Sequence, residues 1–133
     1  SVGDRQGRRA SVTGLAAVYS RARSYIEEHA SLPISVVDIA EAVGVPATEL
    51  DRAFVVLGST TPADYLAWIR MRSAYSDLQA SSGSIDRARP EAAALASDMV
   101  REVALRWGFA QPRRFARLYR RQYGVRPEDV LGI

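Results

Sequence analysis

Cysteine and lysine are both absent from this 133-residue chain, and histidine occurs once, as His29. Without cysteine, neither a disulfide framework nor a thiolate metal site can form, and the redox state of the compartment leaves no mark. One histidine is too few for histidine-based metal or acid–base chemistry, and His29 falls beside the apolar stripe of a helix, where a structural role is expected. No run of about 18 apolar residues exists, and the opening SVGDRQGRRASVTG lacks the apolar stretch of a secretion signal. A soluble, cytoplasmic protein without membrane attachment is the expectation. Residues 1–14 are expected to be a flexible N-terminal segment or linker. A glycine-rich phosphate loop is missing too, and Glu27–Glu28 and Glu128–Asp129 read as helix-end or solvent-facing charges. No enzyme, cofactor or metal site is therefore expected.

What the chain does contain is enough apolar residue, 47%, to bury a core for one domain or for two small units sharing a core. All eighteen basic residues are arginine, which with the abundant alanine follows genomic base composition rather than function. Net charge is only +3, but residues 101–133 hold eight arginines against three acidic residues, whereas residues 31–80 hold three against six. The basic character therefore belongs to the C-terminal quarter. A charge run of this kind is either a solvated helix face or a surface for a polyanion.

Periodicity is helical almost throughout, with no strand alternation. Leu15, Val18, Tyr19, Ala22, Tyr25, Ile26 and His29 share one face of a helix that ends near Ala30. Ser35 and Asp38 read as a capped start for the short helix VVDIAEAV, which Gly44 stops. A second short helix from about Ala47 to Leu57 turns Leu50, Ala53 and Phe54 inward. Such a pair is either a helix-turn-helix or a plain αα-hairpin. Thr61, Pro62 and Asp64 form a cap, a first-turn proline and an acidic first turn for a long helix to about Gln79, with Tyr65, Leu66, Ile69, Ala74 and Leu78 inward. The segment SSGSIDRARP, residues 81–90, breaks the chain into halves.

The plan then recurs. Val100, Val103, Ala104 and Leu105 are expected to face inward from a helix closing at Gly108. A helix from about Pro112 to Tyr123 follows, with Phe115, Leu118 and Tyr119 inward and Trp107 and Phe109 as further anchors. Gly44 matches Gly108, Phe54 matches Leu118, and Pro62 matches Pro127 less strictly.

The segment VREVALRWGFAQPRRFARLYRRQYGVRPEDV, residues 100–130, resembles the second helix-turn-helix and signature region of the AraC/XylS family of bacterial transcription regulators. DIAEAVGV, ELDRAF and TTPADYLAWIRMRSA are similar to that family's first helix-turn-helix and bridging helix. The resemblance covers residues 15 to 131. It implies an all-α, homeodomain-like fold of about seven helices: a first helix-turn-helix subdomain (15–60), a bridging helix (61–80), an extended connection with the start of the next helix (81–97), and a second helix-turn-helix subdomain (98–133). It further implies a DNA-binding unit, of an activator or a repressor, whose two recognition helices enter successive major-groove segments of promoter or operator DNA. A bridging helix of some 18 residues spans about 27 Å, near the roughly 34 Å between such segments.

By the same resemblance the base-contacting positions fall on Thr48, Asp51 and Arg52 in the first recognition helix and on Arg113, Arg114 and Arg117 in the second. Arg120 and Arg121, one turn on, suit phosphates. Arginine can donate two hydrogen bonds to guanine, which favours Arg113 and Arg117 as readers. The family also implies an N-terminal effector or dimerisation domain outside these residues, and RNA polymerase is a candidate partner for the acidic first half and Val55–Leu57. Three departures stand out. Pro46 replaces the usual serine or threonine cap, the 81–97 connection is longer than typical, and Val55, Val56 and Leu57 stand where charged residues are usual. That apolar run is expected to be extra core, with an exposed patch for a partner protein as the alternative. A helical protein-interaction module with secondary DNA binding is the competing function.

Overall fold

The computed structural model describes residues 12–133, and these fold as six α-helices and one short 3₁₀ helix. We number them α1 (Val12–His29), α2 (Val36–Val43), α3 (Ala47–Gly58), α4 (Pro62–Ala80), α5 (Ala92–Arg106) and α6 (Pro112–Tyr123), with the 3₁₀ turn at Pro127–Val130. The all-α expectation holds. Helix α1 starts at Val12, inside the segment 1–14 expected to be flexible; residues 1–11 lie outside the described residues. The described residues divide into two compact units, one up to Ile69 and one from Arg70, so the boundary falls within α4.

In the first unit the helix starts follow local chemistry. The Asp38 amide donates to Ser35 Oγ (3.2 Å) while the Ser35 amide donates to Asp38 Oδ2 (2.9 Å), satisfying two amides that the helix itself leaves unpaired. Gly44 ends α2 in the left-handed region, at φ 75°, where a side chain would be strained. Helix α4 starts in the same manner, with the Asp64 amide donating to Thr61 Oγ1 (3.1 Å). The core joins Leu15, Val18, Ala22 and Ile26 of α1 to Ile39, Ala40 and Val43 of α2, to Leu50, Ala53 and Phe54 of α3, and to Tyr65, Leu66 and Ile69 at the start of α4. His29 sits at its margin, its Nδ1 2.9 Å from the Tyr25 carbonyl and its ring stacked on that of Tyr25.

The second unit buries Met71, Ala74 and Leu78 of α4 against Val100, Val103 and Ala104 of α5 and Phe115 and Tyr119 of α6. Leu105 departs from the expected inward face and is 54% exposed; α5 ends at Arg106, and Leu105 lies on the far side of its last turn. Trp107 is half-buried, with its indole N–H donating to Asp77 Oδ2 (2.7 Å), the oxygen that also takes Arg106 Nη1 (2.9 Å). The connection after α4 is ordered by backbone pairing. Gly83 N donates to Val130 O, Ile85 N to Leu131 O and Ile133 N to Ile85 O, giving an isolated parallel bridge between Ile85 and Gly132. This long-range contact has no local sequence signature, and it places Ile85 and Leu131 in the core.

Candidate nucleic-acid interface

Each unit holds a helix, of 8 residues in α2 and 15 in α5, a tight turn and a second helix of 12 residues, α3 or α6. Aligning Ala47 with Pro112 superposes the two plans in sequence: Leu50 falls on Phe115, Phe54 on Tyr119 and Pro62 on Pro127, and all six side chains are fully buried. The match of Phe54 with Leu118 is thereby corrected by one residue, because three residues follow Gly108 before its helix begins and only two follow Gly44. Leu118 is half-buried, and Tyr119 takes the core position.

Helix α6 is held by an aromatic cluster. Phe109 packs on Phe115 (4.9 Å between ring centres), Tyr119 on Tyr123 (4.8 Å), and Tyr75 of α4 stacks on Tyr123 (4.1 Å). Pro112 occupies its first turn and Gln111 supplies no side-chain cap. With the aromatic side inward, Arg113, Arg114, Arg117, Arg120 and Arg121 are all exposed. None of the five has an ion-pair or hydrogen-bond partner among the described residues, whereas Arg89, Arg106 and Arg126 are paired. Arg117 lies three or four residues from each of the other four, the spacing at which like charges on a helix repel. Arg113 and Arg114 also stand in the first turn, where the helix dipole disfavours cations. Arg114, Arg117 and Arg121 line a recess of about 270 Å³ floored by Leu118.

Helix α3 carries a different surface on the same frame. Thr48, Asp51, Arg52, Val55 and Val56 are exposed, and Glu49 is half-buried. Val55 is 57% and Val56 54% exposed, so the expectation that VVL extends the core is overturned. Leu50, Ala53 and Phe54 already fill the inward arc, and residues one and two positions past Phe54 must turn outward. Pro46 precedes the helix without a side-chain cap.

No protein-family model matches the chain. In sequence it is similar to a protein named probable thc operon regulatory protein from Rhodococcus erythropolis, at 39% identity over 107 residues. That match takes in 80% of this chain but only 29% of the relative's length. Its structure is similar to that of a probable AraC family transcriptional regulator from Rhodopseudomonas palustris, with a TM-score of 0.68 at 23% identity over 86% of this chain and 94% of that one. A second solved structure, that of a transcriptional regulator from Chromobacterium violaceum described among AraC-type DNA-binding domain-containing proteins, gives 0.67 at 24% identity over 90% and 93%. The chain has the fold of these AraC-type regulators.

Within the AraC-type fold, the residues singled out from the sequence sort by unit. Thr48, Asp51 and Arg52 lie on the outer face of α3, and Arg113, Arg114, Arg117, Arg120 and Arg121 on that of α6, all exposed. Several residues that shape this AraC-type frame escaped the sequence reading. Met71 is buried in the second unit. Arg70 approaches Gly108, to within 3.4 Å of where a Cβ would stand, and burial pulls its pKa down. Arg87 donates to the Asp129 carbonyl (3.0 Å), and Arg126 pairs with the Asp129 carboxylate (3.0 Å), which holds that carboxyl below its usual range. The Arg70–Gly108 and Arg87–Asp129 contacts join residues remote in sequence, which no local pattern foretells, whereas Arg126–Asp129 is a local pair three residues apart.

Proposed function

We propose that the chain is the DNA-binding domain of an AraC-family transcription regulator, which reads double-stranded promoter or operator DNA by placing α3 and α6 in successive major-groove segments. The observation that carries this reading is the unpaired arginine face of α6. Five mutually repelling cations, two of them opposed to the helix dipole, sit on a helix whose other side is firmly anchored. A polyanion relieves that repulsion, and local rules broken at a well-packed element mark a functional surface. Arg113 and Arg117 donate to guanine edges and Arg114 to a base or a neighbouring phosphate; Arg120 and Arg121 hold phosphates. In the first unit Thr48, Asp51 and Arg52 face bases. Because the chain spans under a third of the regulatory protein it matches, we place it beside an effector or dimerisation domain in a longer cytoplasmic regulator. RNA polymerase is a further partner in an activator, and the exposed Val55–Val56 face supports the second reading, a protein-interaction module.

The test is a set of three variants measured on a duplex selected from random sequence. Arg113→Ala and Arg117→Ala should each cost about 1–3 kcal/mol on that duplex and relax preference at one base, while Arg121→Ala weakens all sequences alike. Affinity insensitive to all three changes would remove α6 as the interface.

A further inference from the structure

The exposed face of α3 continues past its polar residues into valine. Thr48, Asp51, Arg52 and Val55 stand at i, i+3, i+4 and i+7, the spacing that keeps four side chains on one helix face and at which DNA-reading helices present base-contacting residues. Val56 lies beside Val55, and both are more than half exposed. In the alignment of the two recognition helices, Val55 and Val56 fall on Arg120 and Arg121. The positions that carry cations in the second unit therefore carry only methyl groups in the first.

Helix α3 as a whole has Glu49 and Asp51 against Arg52, so it draws little from the phosphate backbone. If it enters a major groove, its gain there comes from hydrogen bonds by Thr48, Asp51 and Arg52 and from removing the two valines from water. The apolar feature of the major groove that marks one base pair is the C5-methyl group of thymine. We infer that Val55, with Val56 beside it, recognises thymine methyl groups in the groove segment met by α3. This rests on the DNA-binding reading and adds a specificity residue to it. Continuity of the valines with the polar reading face favours DNA as the occupant over a protein.

The experiment uses the whole 133-residue chain and the duplex it selects from a random pool. The half-site whose enrichment is lost with Arg52→Ala is resynthesised with deoxyuridine in place of thymine, which deletes only the methyl groups. The half-site lost with Arg113→Ala is treated likewise as a control. Deoxyuridine in the first half-site should weaken the unaltered chain roughly fourfold per contacted methyl, the worth of one buried methyl group. Val55→Ala should weaken binding to the thymine duplex and be insensitive to the deoxyuridine exchange. Both valines are exposed, so Val55→Ala should fold with an unchanged urea midpoint. A first half-site without thymine, an unaltered chain indifferent to deoxyuridine, or a Val55→Ala chain that keeps the full deoxyuridine penalty would each overturn the inference. In those cases binding that still responds to Arg113→Ala leaves the DNA-binding reading standing. Valine variants that change no DNA measurement while abolishing capture of a defined partner protein would reassign the face to that partner.

Discussion

Tyr119 is fully buried, and among the described residues its hydroxyl has no hydrogen-bond partner. Burial, reinforced by Tyr75 and Tyr123, pushes its pKa from 10.0 up to about 12. The folded state holds the proton more tightly than the unfolded chain, so this stabilisation is fully present below pH 10.0 and is lost as pH rises through about 12. That difference corresponds to about 2–3 kcal/mol. Tyr119→Phe removes both the titration and an unsatisfied buried hydroxyl. It should leave the protein equal to or up to about 2 kcal/mol more stable near neutral pH, and should blunt the alkaline loss. Urea unfolding of both proteins across that pH range checks this; parallel alkaline losses would show that Tyr119 does not carry it. At this scale the sequence was partly legible. Helical periodicity located Phe54, Phe115 and Ala104 inside, but it cannot decide between adjacent apolar residues at the edge of the arc. Leu118 and Leu105 were therefore placed too deep.

Among the elements, the caps were the most legible feature, because each is a local exchange between residues three apart. Helix α2 has only eight residues and depends on its Ser35–Asp38 box more than a long helix would. Ser35→Ala should lower stability by about 1 kcal/mol, seen as a lower urea midpoint at unchanged slope. An unchanged midpoint would mean that packing alone holds α2. The surfaces of α3 and α6 were less legible. Their buried residues correspond, but exposure of VVL depends on which arc Leu50, Ala53 and Phe54 had already filled. Apolar composition alone suggested core. The arginines of α6 were visible at once, since charge is a property of the residue and needs only an anchored opposite face to become a surface.

For the molecule as a whole, charge is divided unequally: α6 alone supplies five unpaired cations, while α3 is slightly acidic. Association should therefore be salt-sensitive chiefly through the second unit. Affinity is expected to fall steeply between about 50 and 200 mM salt, and replacing Arg120 and Arg121 together by alanine should reduce the slope of log affinity against log salt by about two. Titrations of the duplex at a series of salt concentrations give that slope directly; an unchanged slope would take these two arginines off the backbone. Fold class and helix order were legible because helical signals are local. The division within α4 and the pairing of the 81–90 connection with the last residues were not, since both depend on contacts remote in sequence. The Ile85–Leu131 and Ile133–Ile85 hydrogen bonds also have a kinetic meaning. They close a loop of about 45 residues, whose entropy is recovered only when α5 and α6 are already packed. The strap is therefore expected to close late in folding, after α5 and α6 have packed.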